Sequence, residues 1–493
     1  MSSELFPLTA HCPPLLPGSL VPNPDLSLEP TASEMRRLVE GALARAIQHI
    51  ESLPGQPACD VEGGLELARS LRESLPEKGV PYDELLRLIF DRAAPKSFNT
   101  AGPGYLAYIP GGGLFETAVA DMIADVVNRY VGIWVAAPGL AQLEANVVRW
   151  LSEIVGYPSE ARGYLTTGGS LANFGAVVAA RANLLPENFL AGTIYTSDQA
   201  HHSVQKAAGL AGFPAKNVRE IPSDERFRID LQRLQRQIEQ DRRAGLTPFL
   251  IIGNAGTTNT GAVDDLIALA DLARREKMWL HADAAYGGFF ALTGRGRTAL
   301  RGIEQADSIT LDPHKGMFLP YGTGSLLVRT GATLERAHGV GAHYLPTMPD
   351  APDMVDFSRL SPELTRSFRG LRVWLPVKLH GIGAFRRNLD EKLDLTEWAL
   401  EALRGIPGID IVAEPQLTII GFRLRRPGLS EDDLNALNRK LIAAINARNR
   451  IHISGTTLGS QFVLRICVLS FRTHMERMRE GLDDIRAAVA ATV

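Results

Sequence analysis

The sequence has few cysteines, almost no net charge and no long apolar run. Its three cysteines, Cys12, Cys59 and Cys467, lie far apart without the spacing of metal ligands. Their odd number argues against a disulfide framework, so we expect a reducing, cytoplasmic environment and no metal site. The formal net charge of −3 gives no general attraction to nucleic acid or to anionic lipid.

Signals for export and for membrane insertion are also missing. The first residues lack the basic patch and apolar stretch of a signal peptide, and apolar runs such as residues 249–252 are too short to cross a bilayer. Apolar residues make up 45% of the chain and charged residues 22%, which is typical of a folded soluble protein. We therefore expect a soluble protein with neither a membrane nor a nucleic acid as its partner.

The N-terminal region predicts an arm followed by helices. Residues 1 to about 30 are rich in Pro, Leu and Ser and lack helical periodicity, which indicates an extended arm. Apolar residues then recur on one helical face, and a shorter pattern of this kind covers Leu85, Leu86 and Ile89. The longer pattern consists of Met35, Leu38, Val39, Leu43, Ile47 and Ile50. Because this region is too small to bury both stripes, we expect it to pack on a second subunit.

Short β-rich runs alternate with helical patterns between about 140 and 330. This alternation predicts a mainly parallel sheet with helices on both faces. The segments TTGGS, DQAHH, NAGTTN, HADAAY and DPHK each follow such a run directly. Since chemistry gathers at the carboxyl ends of parallel strands, we expect these five segments to meet at one edge. After about 375 two strands and three helices, one of them opened by Ser430 with Asp433 as a capping box, predict a small α+β domain.

Two residues of these segments are of the types that would bind a cofactor with an electron-withdrawing ring. Lys315 follows a strand within an apolar stretch, where burial would lower its pKa and leave a neutral amine as a Schiff-base nucleophile. Asp283 ends the strand MWLHAD, where a buried carboxylate would keep a pyridinium nitrogen protonated. A lone lysine is more often a surface charge, and a strand-end aspartate often caps a turn. The small Ala285 would let a flat ring lie beside it.

The other segments supply a phosphate seat and a stacking side chain. Thr167, Gly168, Gly169 and Ser170 lead into a helix, whose exposed N–H groups and dipole attract phosphate. Glycine-rich turns often serve only to make the turn, so this motif is weak by itself. His201 or His202 is placed to stack on an aromatic ring, although a histidine that opens a helix is more often a cap or a surface residue.

In order and spacing these segments resemble the group II amino-acid decarboxylases that depend on pyridoxal 5'-phosphate (PLP). That family includes aromatic-L-amino-acid, histidine and glutamate decarboxylases. The resemblance runs from roughly residue 100 to the C-terminus. It implies the aspartate-aminotransferase-like fold (fold type I) with a mainly parallel seven-stranded sheet, and a homodimer with active sites between subunits. We divide the chain into an N-terminal dimer-packing part (1–112), a large PLP-binding domain (113–375) and a small C-terminal domain (376–493).

The resemblance also implies roles for individual residues. Lys315 would form the Schiff base, Asp283 would pair with the pyridinium nitrogen, His201 would stack on the ring and Thr258 would face its phenolic oxygen. Gly168, Gly169, Ser170 and His314 belong to the phosphate seat, and Ala285 and Asp312 complete the cofactor site. Tyr344, in a Gly- and Pro-rich segment that predicts a mobile loop, would protonate the substrate carbon after carbon dioxide leaves. Tyr108, Pro110 and Trp134 would line the substrate pocket.

The chain departs from the family pattern at four positions. Gly316 stands where many animal members have Trp, Ile109 where aromatic decarboxylases often have Phe, Asp312 where Asn is frequent, and Leu171 where many have Glu. The Ile109 departure bears on whether the substrate is aromatic. Tyr105, Tyr108 and Trp134 would frame an aromatic side chain, but aromatic residues in apolar segments more often belong to the core.

The predicted reaction is decarboxylation of an L-amino acid, with an aromatic substrate favoured. An oxygen-consuming aldehyde synthase of the same family is the nearest alternative, yet such variants typically lose the loop tyrosine or the stacking histidine, and both types of residue are present. A cysteine desulfurase needs a loop cysteine after the lysine, and none lies between Lys315 and Cys467. A sphingosine-phosphate-type lyase would carry a membrane anchor, and a non-catalytic PLP-binding protein would not need Lys315, Asp283 and Tyr344 together.

Overall fold

The computed structural model describes residues 28–339 and 354–492. Almost all of the predicted N-terminal arm lies outside these residues, and so does Tyr344 with the segment around it. The described chain divides by its internal contacts into two units, which are residues 28–51 with 72–94, and residues 52–71 with the rest.

A seven-stranded sheet forms the centre of the larger unit. Its strands are β1 (Arg162–Thr166), β2 (Gly192–Ser197), β3 (Val218–Ile221), β4 (Thr247–Asn254), β5 (Trp279–Asp283), β6 (Ser308–Leu311) and β7 (Gly324–Val328). Their spatial order is β1-β7-β6-β5-β4-β2-β3. The five strands from β6 to β3 run parallel, whereas β7 is antiparallel to both β1 and β6. The prediction of a mainly parallel seven-stranded sheet is confirmed.

The central strands are buried along almost their whole length because helices cover both faces of the sheet. Every residue of β2, β5, β6 and β7 is buried. The sheet and its covering helices share one continuous apolar core. The helices between residues 115 and 338 are α4 (Phe115–Val127), α5 (Pro138–Ile154), α6 (Gly169–Leu184), α7 (Ser203–Leu210), α8 (Leu231–Arg243), α9 (Leu266–Glu276), α10 (Gly294–Ala299), α11 (Pro313–Gly316) and α12 (Ala332–His338). Short 3-10 turns lie at Leu53–Gly55, Trp134–Ala136, Ala215–Asn217, Gly288–Leu292 and Ile303–Gln305.

A second, antiparallel sheet lies in the C-terminal part, in the order β10-β11-β9-β8. Its strands are β8 (Ile409–Ala413), β9 (Ile419–Leu424), β10 (Ser454–Leu458) and β11 (Gln461–Cys467), and the helices are α13 (Phe357–Leu360), α14 (Gly370–His380), α15 (Ile382–Arg404), α16 (Glu431–Asn446) and α17 (Met475–Ala491). Helix α16 begins as predicted, since Ser430 Oγ accepts the Asp433 N–H at 3.2 Å. The sheet and helices α15, α16 and α17 share a separate apolar core. This arrangement agrees with the predicted small α+β domain.

The smaller unit contains almost all of helix α1 (Ala32–Ser52), together with α3 (Tyr82–Arg87) and a π-helical turn (Leu88–Ala93). Helix α2 (Gly64–Ser70) belongs to the larger unit. The Tyr82 hydroxyl donates to the Leu38 carbonyl at 3.0 Å and ties α3 to α1. Helix α1 has no buried residue. Its apolar stripe is exposed, at 42–46% for each of Met35, Val39, Leu43 and Ile47.

No helix within residues 28–339 and 354–492 combines the length and the apolar character needed to cross a membrane.

Candidate active site

A cavity of about 360 Å³ opens at the carboxyl ends of the parallel strands. Residues from all five predicted segments line it, so the expectation that these segments meet is confirmed. All ten predicted cofactor-binding residues are in its wall: Gly168, Gly169, Ser170, His201, Thr258, Asp283, Ala285, Asp312, His314 and Lys315. Sequence reasoning missed Asn173, Ser203, Asn254, Gly256, Thr257 and Tyr286, which also line the cavity.

Lys315 lies one turn beyond strand β6. Pro313 begins the short helix α11, and this turn brings Lys315 Nζ back to 2.9 Å from Asp312 Oδ2. Burial lowers the pKa of the lysine, but the Asp312 carboxylate, with Asp283 further away, outweighs burial, and the net pKa is raised above its ordinary value. The expectation of a lowered lysine pKa was therefore wrong, because it ignored the carboxylate three residues earlier.

Asp283 ends strand β5 and is only 8% exposed. Its Oδ2 accepts a hydrogen bond from Asn173 Nδ2 at 2.9 Å, and its Oδ1 accepts the Ala285 N–H at 3.2 Å. Asn173 also donates to Ser203 Oγ at 2.9 Å, so both protons of its amide are used. The carboxylate is thus held in one orientation at the floor of the cavity.

A second layer of side chains fixes the other end of the Asn173 amide. Asn173 Oδ1 accepts from Thr310 Oγ1 at 2.8 Å and lies 3.1 Å from His281 Nε2. His281 Nδ1 lies 2.8 Å from Ser308 Oγ, which also accepts the Trp279 indole N–H at 2.8 Å. Burial lowers the pKa of His281, so the ring is neutral at neutral pH. The layer adds no charge beneath Asp283.

The turn between β1 and α6 forms an anion seat. Helix α6 begins at Gly169, so its first N–H groups have no partner within the helix and the positive end of its dipole faces the cavity. A Cβ atom at Gly169 would lie 3.0 Å from Asp312 Oδ2 and 3.2 Å from Ala285 Cβ. Only glycine leaves this space open.

His201, Ala285 and Thr258 form the sides of the cavity. His201 Nδ1 lies 2.8 Å from Ser203 Oγ, and burial lowers the pKa of His201. The Thr258 carbonyl accepts from Arg465 Nη2 at 2.6 Å, which anchors that loop to strand β11. A neutral imidazole and a small methyl group suit the two faces of a flat ring.

The predicted substrate residues are not in the cavity wall. Tyr108 is 52% exposed and stacks on Phe98, with ring centroids 6.3 Å apart. Pro110 is buried and Trp134 is half-buried. Tyr344, the predicted proton donor, lies outside the described residues.

These groups fit PLP. An amine for its aldehyde, a buried carboxylate for its pyridine nitrogen and a glycine-lined helix start for its phosphate lie around one cavity. A mainly parallel sheet with this cavity at the ends of its strands defines the class of fold type I PLP enzymes.

Comparison with known proteins gives the family. The model of the pyridoxal-dependent decarboxylase conserved domain matches residues 65–425. An aromatic-L-amino-acid decarboxylase of Bacillus atrophaeus is 36% identical over 94% of this chain and 96% of its own length. The chain belongs to the pyridoxal-dependent decarboxylase family.

Solved structures agree with this assignment. A TDC of Oryza sativa with PLP and tryptamine has a TM-score of 0.90 and 25% identity over 94% of this chain and 99% of its own. A tryptophan decarboxylase of Catharanthus roseus in complex with L-tryptophan has a TM-score of 0.86 and 26% identity over 94% and 100%. The predicted family, fold class, PLP cofactor and activity as an amino-acid decarboxylase are confirmed.

Proposed function

We propose that this chain is a cytoplasmic homodimer that decarboxylates an aromatic L-amino acid to the corresponding amine and carbon dioxide. The cavity that joins Lys315, Asp283 and the start of helix α6 carries this proposal. The aromatic substrate is supported by the relative from Bacillus atrophaeus, which is an aromatic-L-amino-acid decarboxylase and matches nearly the whole chain. We also retain the division into residues 1–112, 113–375 and 376–493, which is supported by the separate cores of the two sheets.

The wall of the cavity supplies a partner for each part of the cofactor. Lys315 would hold it through its amine, and Gly168, Gly169 and Ser170 would bind its phosphate, with His314 beside them. His201 and Ala285 would lie against the two ring faces, and Thr258 would face the phenolic oxygen. Asp312 would lie next to the lysine.

When bound, PLP supplies an electron sink for the carbanion that decarboxylation leaves. Asp283 would keep a proton on the pyridine nitrogen, and the Asn173 amide holds the carboxylate in place for that task. The cavity wall would orient the substrate against the bound cofactor, and this orientation would determine which substrate bond breaks. Orientation by these residues would therefore select loss of the carboxylate.

We assign the protonation of the substrate carbon to the Tyr344 hydroxyl. Bond cleavage does not need that proton, so Tyr344→Phe should still release carbon dioxide, and oxygen should then oxidise part of the carbanion, which yields aldehyde, ammonia and hydrogen peroxide. Tyr108, Pro110 and Trp134 remain the proposed substrate residues. Because the wall of the cavity in one chain does not include them, their role requires a change of position or a second subunit.

The test is a survey of carbon dioxide release from the common L-amino acids, with amine and aldehyde measured in each reaction. We expect equal amounts of carbon dioxide and amine from an aromatic amino acid and little from glutamate. The D-enantiomer of the best substrate is the control and should be inert. Release from no amino acid, or from acidic ones alone, would exclude the proposed reaction.

A further inference from the structure

Asp312 is the most enclosed carboxylate in contact with a reactive group of the cavity. Its residue is 1% exposed, and Lys315 Nζ lies 2.9 Å from its Oδ2. Within residues 28–339 and 354–492 its Oδ1 has no hydrogen-bond partner. Asp283, by contrast, accepts hydrogen bonds on both oxygens. The lysine is therefore the principal partner of Asp312.

Two glycines from different elements make room for this carboxylate. A Cβ atom at Gly324, the first residue of β7, would lie 2.7 Å from Asp312 Oδ1. A Cβ atom at Gly169 would lie 3.0 Å from Oδ2. The pocket that encloses the carboxylate is thus built by the start of β7 and the start of α6 together.

His314 does not compete with the lysine for Asp312. His314 Nδ1 lies 2.6 Å from the Thr323 carbonyl, which only accepts, so this nitrogen carries the proton of the neutral ring. Burial lowers the pKa of His314 and keeps the ring neutral. Its Nε2, 3.7 Å from Asp312 Oδ2, is then without a proton to donate.

We propose that Asp312 is a dedicated counter-ion that holds the free Lys315 amine protonated and fixed in the cavity, and so controls when this nitrogen acts as a nucleophile. The proposal rests on the proposed role of Lys315 as the residue that holds the cofactor. When the Lys315 amine is not bonded to the cofactor, its positive charge lies in a buried cavity and needs a hydrogen-bond acceptor and a negative charge beside it. The Asp312 carboxylate supplies both.

Other titratable groups near Lys315 also affect the protonation of its amine, and the test must take them into account. Asp283 favours its charged form, whereas burial opposes that form. The remaining groups whose charges interact with Lys315 are His201, His314, Tyr321 and Cys467. Since Asp312 alone among them contacts Nζ, its replacement should dominate the response.

The test measures how fast Lys315 reacts with acetic anhydride in the full-length chain after removal of the cofactor, over a range of pH, with peptides quantified by mass spectrometry. In the wild type we expect half-maximal labelling above pH 10.5, the ordinary value of a lysine. Asp312→Asn keeps the shape of the side chain and removes its charge. The rate of Lys315 labelling at pH 8 should then rise roughly ten-fold or more, because lowering the pKa of Lys315 by about one unit makes the neutral amine about ten times more abundant.

Asp241→Asn is the matched control, because Asp241 is also buried and paired with a basic side chain, Arg219 at 2.8 Å, but does not line the cavity. It should leave Lys315 labelling unchanged. An unchanged rate in Asp312→Asn, or wild-type half-maximal labelling below pH 10.5, overturns the proposal. The wild-type titration decides even if the variant does not fold. Failure of the proposed function would appear separately, as absent carbon dioxide release with an intact labelling response.

Discussion

At the scale of single residues, the site depends on the hydrogen bonds that hold each reactive side chain in position. Asp283 is held by Asn173, which comes from helix α6, and Asn173 is held by Thr310 and His281 from strands β6 and β5. These contacts join residues more than a hundred positions apart. A carboxylate supported in this way keeps its orientation when the cavity fills.

His281 should make stability depend on pH. Burial lowers the pKa of His281 in the folded state below 6.5, so the unfolded chain takes up a proton first as the pH falls. The stabilisation it contributes is complete above 6.5 and is lost as the pH falls toward the folded-state pKa. In His281→Asn the free energy of unfolding should therefore fall less between pH 7.5 and 5.5 than in the wild type, by at most about 1.4 kcal/mol in total, because one proton is taken up over roughly one pH unit below 6.5.

Denaturant unfolding at both pH values measures this difference. The same substitution at the exposed His202 is the control for a lost imidazole. If the free energy of unfolding fell equally in the wild type and in His281→Asn between the two pH values, the buried ring would not contribute to the pH dependence.

At the scale of elements, the start of helix α6 should decide how well the cofactor binds. Gly169→Ala places a methyl group 3.0 Å from Asp312 Oδ2 and 3.2 Å from Ala285 Cβ, at the edge of the anion seat. We expect roughly ten-fold weaker PLP binding, a loss of about 1.4 kcal/mol. Thermal stability without PLP should not fall comparably, since alanine favours a helix more than glycine does.

Titration of the cofactor-free chain with PLP gives the dissociation constant. The control is Gly139→Ala in the first turn of α5, where a Cβ atom meets nothing within 4 Å. If Gly169→Ala bound PLP as tightly as the control, helix α6 would not form the phosphate seat.

The same scale shows what sequence can and cannot predict. Strands β4, β5 and β6 were predicted because each is a buried apolar run that ends in polar residues. The strands β3, β8 and β10 were missed because they lie at sheet edges, and β3 and β10 also carry polar residues such as Arg219 and Thr456. Asn173 was missed because its partners are distant in sequence, although its position three residues after Ser170 places it on the same helical face.

At the scale of the whole molecule, helix α1 leaves an apolar stripe uncovered in the single chain. Four of its apolar side chains are 42–46% exposed. A continuous exposed stripe of this kind marks a contact surface. We expect the second copy in the proposed homodimer to bury this stripe.

Replacing Val39 and Leu43 by Asp should therefore weaken dimerisation, because buried charges without partners are costly. Sedimentation velocity should show two chains per particle for the wild type and mainly single chains for the double variant. Leu75→Asp, at a side chain that is 95% exposed outside the stripe, should remain dimeric. A double variant that sediments like the wild type would exclude the stripe as the dimer contact.

The most direct test of the account is to find which side chain holds the cofactor. Borohydride reduction of the enzyme with PLP, followed by proteolysis and mass spectrometry, fixes the cofactor to its lysine. We expect the pyridoxyl group on the peptide that contains Lys315, and we expect Lys315→Ala to lose the label, the visible absorbance and carbon dioxide release, whereas Lys206→Ala keeps all three. A pyridoxyl group on any other lysine, or an unchanged spectrum in Lys315→Ala, would contradict the account.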